Sequence, residues 1–168
     1  MKIKRKELFL LQKAFVAVKD LKGIKFAYAI AKNNKLINSE IETLQEIIKP
    51  DEKYGEYDQK RIELCEKFCE KDENGKPKKI DIRNRENKII GYNYVGLESN
   101  SEFKEKLKVF MKENKEIIDS QKEKEKEYNK LLDEKVDINI YKIKLEDIDE
   151  NITPAQMDGI VLLINEDK

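Results

Sequence analysis

The segment that decides the fold runs from Ile37 to Cys69 and reads INSEIETLQEIIKPDEKYGEYDQKRIELCEKFC. Apolar or small residues recur in it at alternating spacings of four and three, the heptad pattern of a helix that packs along one seam. The pattern keeps its phase across Pro50, which favours a kinked helix or two nearly collinear helices over a long loop. The seam residues are Ile37, Ile41, Leu44, Ile48, Ile62, Cys65 and Cys69.

A second seam of the same kind follows later in the chain. Two such helices, joined by a middle segment, are predicted to fold back on each other as an antiparallel coiled-coil pair. Both seams contain a polar gap, and the gaps coincide when Asp51 lies near Lys124 and Asp58 near Ile117 or Gln121. This polar belt would fix the alignment, although a solvated or splayed midsection fits the same residues. The apolar positions of the second seam are Leu107, Phe110, Ile117, Tyr128 and Leu131.

The composition describes one helical domain with a thin core. The 168 residues are 39% hydrophobic and 42% charged, and the apolar residues are periodic. Thirty-five basic residues balance 35 acidic ones, which argues against nucleic-acid binding through bulk charge. Without histidine, the chain lacks the commonest neutral-pH general base and metal ligand. We therefore predict a protein that is not an enzyme, with no catalytic, cofactor-binding or metal-binding residues and no cofactor.

The two cysteines fit the first seam as small hydrophobic residues. Cys65 and Cys69 stand four apart on one helical face, where a disulfide is geometrically awkward. A metal site is the alternative, with carboxylates as its other ligands. No signal peptide or membrane span is predicted, because the apolar run from Leu8 to Val18 is short and is broken by Gln12 and Lys13. The cytoplasm is the simplest location for such a chain, which we expect to have no membrane partner.

The first residues are predicted to belong to a small base. A short strand over Met1–Lys4 precedes a helix that begins near Arg5. This helix would end at Gly23, placed to take the left-handed conformation at C′. Its buried face is predicted to consist of Leu8, Leu11, Phe15 and Val18.

The C-terminal part of the chain is predicted to complete this base with a strand and a helix. Apolar residues alternate on one face from Val136 to Ile140 and on the other from Tyr141 to Leu145. This switch implies a bulge or a strand covered on both faces, paired with the strand at Met1–Lys4. The final helix has a full start signature, with Thr153 as N-cap and Gln156 completing a capping box.

The middle segment is predicted to form a β-hairpin. Lys71–Pro77, which reads KDENGKP, is the clearest stop signal in the chain. Two strand-like runs follow, over Lys79–Ile82 and Lys88–Val95. The second long helix would then be capped by Ser99 or Ser101.

The predicted fold is therefore α+β and mainly α, in a single domain over residues 1–168. A base of two short helices and a small sheet takes residues 1–36 and 135–168. A long antiparallel helical hairpin takes residues 37–134 and projects from the base. Its β-hairpin tip lies within residues 73–100.

The predicted tip is basic, whereas the C-terminal part is acidic. Six basic and two acidic residues lie between Lys76 and Lys88, while ten acidic and four basic ones lie between Asp133 and Lys168. The tip could hold nucleic acid by phosphate contacts and stacking, although such a charge is also ordinary for a solvated hairpin. The acidic cluster at Glu146–Glu150 fits a solvated loop or, alternatively, a cation site. Candidate residues for binding a partner or nucleic acid are Lys78, Lys79, Arg83, Arg85, Lys88, Tyr92 and Tyr94.

Three segments carry a resemblance to a known group of proteins. After a short basic start come KDENGKPKK at 71–79, VDINIYKIKLEDI at 136–148 and ITPAQMDGIVLLI at 152–164. In this arrangement the chain resembles a family of small phage and prophage proteins of unknown function, with a helical hairpin and a short C-terminal strand-helix unit. The resemblance implies a viral origin and action in the host bacterial cytoplasm or in a virion.

These features predict a non-enzymatic phage protein that acts through protein–protein interaction. It would be a virion component, an assembly factor or an inhibitor of a host protein, and its partner would be a host or phage protein. The alternative is a nucleic-acid-binding module that uses the basic tip. Both a monomer and a small homo-oligomer fit the sequence.

Overall fold

The computed structural model describes residues 1–85 and 87–165, and the protein is α+β and mainly helical, as predicted. Its chain divides into two compact units. The terminal unit comprises Met1–Lys49 and Lys124–Lys168, and the central unit comprises Pro50–Glu123. Both divisions fall inside residues 37–134, the segment that the sequence predicts as one helical hairpin.

The helices and strands alternate irregularly along the chain, with short 3₁₀ turns at Leu145–Asp147 and Val161–Leu163. In chain order the elements are β1 (Lys2–Lys4), α1 (Arg5–Ala17), α2 (Ile24–Ile48), α3 (Glu52–Phe68), β2 (Lys79–Arg83), β3 (Ile89–Tyr94), α4 (Ser101–Glu113), α5 (Lys115–Asp133), β4 (Lys135–Asp137), β5 (Ile143–Lys144), α6 (Pro154–Ile160) and β6 (Ile164–Asn165).

The core of the terminal unit forms where α1 packs on α2 and α6. The predicted face of α1 is confirmed, because Leu8, Leu11, Phe15 and Val18 are all buried. Burying a large apolar side chain contributes roughly 1.5–3 kcal/mol, so this face holds α1 in place. The side chains that complete the core include Ile3, Phe26, Ala29, Ile30, Ile37, Ile41, Ile138, Ile143, Ile160 and Leu163.

The N-terminal strand β1 pairs antiparallel with β4, at the start of the C-terminal segment, as predicted. Ile3 of β1 lies opposite Val136 of β4. The C-terminal segment, however, does not continue as one strand. β5 pairs in parallel with β6 instead, with Ile143 opposite Ile164. The change of face after Ile140 is therefore a break between two sheets, and the prediction of a single bulged or doubly covered strand was wrong.

The end of α1 differs from the prediction, and at Pro50 the chain forms two helices, one of the two alternatives predicted there. Helix α1 ends at Ala17, and Gly23, with a φ of +114°, is the N-cap of α2 rather than the C′ residue of α1. Pro50 lies between α2 and α3, where Asp51 is the N-cap and accepts a hydrogen bond from the backbone N–H of Tyr54 at 2.8 Å. Proline has no N–H to continue a helix, and the aspartate starts a new one. The first segment is therefore two helices, not one kinked helix.

Asparagines begin and divide the second helical segment. Asn100, not the predicted Ser99 or Ser101, is the N-cap of α4, and its Oδ1 accepts from the backbone N–H of Phe103 at 3.0 Å. Asn114 separates α4 from α5, and its side chain donates to a backbone carbonyl of the preceding turn. Asparagine side chains compete with the backbone for hydrogen bonds, so they favour such positions.

Two boundary signals read from the sequence are confirmed. Thr153 caps α6, and reciprocal hydrogen bonds with Gln156 complete the capping box. In the stop signal after α3, the carboxylate of Asp72 accepts two backbone N–H groups of the turn. Gly75 there has a φ of +74°, which glycine adopts without a steric penalty.

Aromatic side chains join α3 and α4 in the central unit. Tyr57 stacks on Phe110 with ring centroids 5.3 Å apart. Phe68 lies 6.1 Å from Phe103 by the same measure. The predicted register of the two seams would instead place Tyr57 near Ile118, about two helical turns further along.

Candidate interaction surface

The β2–β3 hairpin carries the predicted site residues and has two different faces. Its strands pair antiparallel, with Lys79 opposite Tyr94 and Asp81 opposite Tyr92. Residues directly opposite each other share a face of a sheet, so these four form one face, the polar face. Successive residues of a strand point to opposite sides. The other face, the apolar face, therefore consists of Ile80, Ile82, Gly91 and Asn93.

The polar face is tied to α3 through one carboxylate. Glu66 Oε1 lies 2.7 Å from Lys79 Nζ and accepts a hydrogen bond from the Tyr94 hydroxyl at 3.1 Å. The same amine lies 5.0 Å from the centroid of the Tyr94 ring and 5.5 Å from that of Tyr92. Hydrogen bonds from Lys79 and Tyr94 hold the pKa of Glu66 below its ordinary value of 4.5. The structure thus brings two predicted site residues, Lys79 and Tyr94, together on the Glu66 carboxylate, with Tyr92 beside the Lys79 amine.

Other predicted basic residues of the hairpin also have carboxylate partners. Lys78 Nζ lies 3.4 Å from Glu70, and Arg83 Nη2 lies 2.6 Å from Asp81. Exposed pairs of this kind contribute about 0–1 kcal/mol, but they reduce the positive potential that would attract phosphates. The other two predicted basic residues, Arg85 and Lys88, are exposed in or beside the turn that joins β2 to β3.

The strands of the hairpin expose large apolar side chains. Ile80 and Ile90 keep 61% and 64% of their surface accessible. Sequence reasoning missed them because it weighed the lysines, arginines and tyrosines of this segment. The alternation Ile-Asp-Ile in β2 is the signal that could have found Ile80 and Ile82, since it predicts one apolar face. The other exposed apolar residues of the hairpin are Ile82, Ile89 and Tyr92.

A groove of about 710 Å³ lies beside the hairpin, within the central unit. Arg61 lines it, and its Nε and Nη2 bind Asp58 Oδ1 at 2.9 and 2.8 Å. This guanidinium already has a carboxylate partner, and the groove offers polar and apolar contacts in similar measure. Its apolar lining includes Val95, Leu97, Phe103 and Leu107.

The cysteines are buried and free, as predicted. Cys65 also lines the groove. Burial raises the pKa of the Cys65 thiol above its ordinary value of 9.0. A protonated thiol is a poor nucleophile, so Cys65 acts as a small hydrophobic residue at neutral pH.

A second cavity, of about 500 Å³, lies in the terminal unit. Tyr28 and Tyr141 line it, edge to face with ring centroids 5.6 Å apart. Lys32 Nζ lies 4.7 Å from the centroid of the Tyr141 ring. The lining of this cavity also includes Asp147, whose carboxylate lies 3.1 Å from Lys25 Nζ. Sequence reasoning did not single out this cavity, because residues far apart in the chain form it.

Other groups of the terminal unit bind Asp147 and Asp149, two of the four carboxylates in the acidic cluster at Glu146–Glu150. Besides the pair of Asp147 with Lys25, Asp149 accepts the backbone N–H of Lys22 at 2.7 Å. Among residues 1–85 and 87–165 there is no group of three or more histidines, cysteines, aspartates or glutamates placed to hold a metal ion. Within the same ranges, no helix has both the length and the apolar character needed to cross a membrane.

Comparisons of the chain with protein-family models, with curated proteins and with solved structures found no match.

Proposed function

We propose that the protein is a non-enzymatic phage protein that acts through protein–protein interaction, with the β2–β3 hairpin as its contact surface. The exposed isoleucines of the hairpin carry this proposal. Exposed apolar side chains favour a protein contact, because their burial supplies the free energy of association. The resemblance to small phage proteins supports the viral origin. It also supports action in the host cytoplasm or in a virion.

The long antiparallel coiled-coil hairpin is part of this proposal. Its support within the central unit is the aromatic packing of Tyr57 on Phe110 and of Phe68 against Phe103. In the terminal unit, the Lys124 amine donates to the backbone carbonyl of Lys49, just after the end of α2. A cation is favourable at a helix C-terminus, so this contact would help to join the two helical segments.

A nucleic-acid-binding module is the second candidate. Tyr92 is exposed beside the Lys79 amine, and Arg85 and Lys88 are exposed nearby, a combination that suits stacking and phosphate contacts. The ion pairs of Lys78, Lys79 and Arg83 weigh against it. A protein partner therefore has the stronger support.

Two hairpin variants and one control distinguish these candidates. Ile80→Ser with Ile90→Ser removes exposed apolar surface. Arg85→Ala with Lys88→Ala removes exposed charge. Val109→Ser, in α4, is the matched control, because Val109 is also apolar and is 56% exposed but lies outside the hairpin.

The measurement is affinity capture from phage-infected bacterial lysate, with and without nuclease. We expect a protein partner that the isoleucine variant loses and that the charge variant and the control retain. Capture of nucleic acid alone, lost in the charge variant and at high salt, would replace the proposal with the second candidate. Retention of every partner by the isoleucine variant would exclude this surface.

A further inference from the structure

We propose that the β2–β3 hairpin binds a second copy of this chain, through antiparallel pairing of the two β2 strands. The inference rests on the proposed function, since it names a partner for the same hairpin. β2 and β3 form a two-stranded sheet in the described part of the chain, so β2 has one partner strand there. A strand at the edge of a sheet offers backbone groups to another chain.

Charge complementarity selects a second copy as the occupant. β2 reads Lys79-Ile80-Asp81-Ile82-Arg83, with one acidic residue between two basic ones. Two copies paired antiparallel about Ile82 place each Asp81 opposite the Arg83 of the other copy. Pairing about Ile80 places each Asp81 opposite the Lys79 of the other copy. Opposite charges that face each other across strands stabilise a sheet. Within one copy Asp81 already pairs with Arg83, and Lys79 with Glu66, so the contacts between copies would extend these ion pairs into a larger network. Both registers are favourable on this ground.

The register between these two is unfavourable. Pairing about Asp81 would place the two aspartates opposite each other and each Lys79 opposite an Arg83. Like charges in such positions are destabilising. The strand thus specifies antiparallel self-pairing about an isoleucine, not an arbitrary alignment.

The β-bulge is compatible with this arrangement. Ile82 lies opposite Gly91 and Arg83 opposite Ile89, so the extra residue, Ile90, belongs to β3. The β2 strand remains regular over its five residues and can align with another strand. A dimer paired this way would be a four-stranded sheet with adjacent isoleucines on one face, and such a sheet is more stable than an isolated two-stranded hairpin.

Charge variants of the full chain test the pairing. We expect wild-type protein to dimerise with rising concentration in sedimentation equilibrium, over about 1 µM to 1 mM. Asp81→Lys should weaken dimerisation by about tenfold or more, because both cross-strand pairs become repulsive. Mixing it with the Lys79→Glu, Arg83→Glu double variant should restore association as a heterodimer. Circular dichroism checks that each variant folds.

Cysteine cross-linking locates the contact. Under mild oxidation, Ile82→Cys or Ile80→Cys should form an intermolecular disulfide, each reporting one of the two favourable registers. Val109→Cys, exposed in α4, is the control that should remain monomeric. A dimer that Asp81→Lys leaves intact, or cross-linking as efficient at position 109, would overturn the inference.

Different outcomes would overturn the self-pairing inference and the proposed function. A chain that stays monomeric to about 1 mM overturns self-pairing. The proposed function stands in that case if wild type captures a different protein and the Ile80→Ser, Ile90→Ser variant does not. If that variant loses no partner and the chain is also monomeric, both are overturned.

Discussion

The side-chain amide of Asn33 makes two hydrogen bonds to the backbone of Tyr141. Its Nδ2 donates to the Tyr141 carbonyl at 2.8 Å, and its Oδ1 accepts from the Tyr141 N–H at 2.7 Å. Asn33 is 1% exposed within α2. Tyr141 lies between β4 and β5, where the backbone has left one sheet and not yet entered the next. The Asn33 amide thus satisfies the backbone N–H and carbonyl of Tyr141, as a neighbouring strand would, and it links the C-terminal segment to α2.

Replacing Asn33 should therefore destabilise the terminal unit. Asn33→Leu leaves the Tyr141 N–H and carbonyl without their partner at a partly buried site, which costs about 1–3 kcal/mol for the two groups. Asn33→Asp keeps the acceptor but sets a carboxylate oxygen against the carbonyl, so a comparable loss is expected. Urea unfolding measures both. The partly exposed neighbour supplies the control, Asn34→Asp, which should change stability much less. Equal effects of the substitutions at positions 33 and 34 would contradict this role.

The contact between α1 and α6 depends on the absence of a side chain at Gly159. A Cβ at this position would lie 2.9 Å from the Cβ of Ala14. Both atoms are on helices, so relief requires a shift of backbone, and Gly159→Ala should cost about 1–3 kcal/mol. Ala14→Gly removes the clashing atom. The double variant should therefore recover part of the loss in thermal unfolding, and purely additive effects would show that the two residues do not meet.

The same substitution at Gly55 should have the opposite sign. Among the described residues, nothing lies within 4 Å of a Cβ built at this position in α3. Alanine restricts the unfolded chain and favours the helix, so Gly55→Ala should raise the free energy of unfolding by about 0.5–1 kcal/mol. Thermal unfolding followed by far-ultraviolet circular dichroism measures it. A loss of stability would mean that α3 requires glycine here for a reason other than space.

Periodicity and capping chemistry predicted the parts of the fold that depend on local sequence. The buried face of α1 and the Thr153 capping box follow from such signals, whereas the pairing of β1 with β4 was predicted from the expected return of the chain to the base. The bond between Asn33 and Tyr141 could not be predicted, since the two residues are 108 positions apart and asparagine is not expected at a buried helical position. The break between α4 and α5 at Asn114 was missed for a different reason, because the heptad pattern continues through it.

The candidate surface was predicted only in its position. The stop signal and the two strand-like runs predicted a hairpin after α3, and β2 and β3 form it. The sequence could not show that Lys79 and Tyr94 converge on Glu66, because that contact depends on how the hairpin lies against α3. Nor did the count of basic residues reveal their carboxylate partners. These ion pairs weaken the case for a nucleic-acid partner and so favour a protein partner.

Acid should destabilise the terminal unit through two aspartates, the exposed Asp133 and the half-buried Asp149. The Lys6 amine holds the pKa of Asp133 below its ordinary value of 3.8, and the backbone N–H groups of Asn151 and Lys22 do the same for Asp149. A carboxyl whose pKa is lower in the folded state binds protons more readily when unfolded. Its stabilisation is therefore complete well above pH 3.8 and is lost as the pH falls through the folded pKa.

Asp149→Asn separates this contribution from the general effect of acid. The amide keeps the size of the side chain but does not titrate, so the variant should be less stable than wild type at pH 6 and should approach it at pH values well below 3.8. Thermal unfolding from pH 6 to pH 2 measures the two curves. The control is Asp158→Asn, exposed on α6, which should run nearly parallel to wild type. Parallel curves for wild type and Asp149→Asn would show that the hydrogen bonds to Asp149 do not depend on its charge.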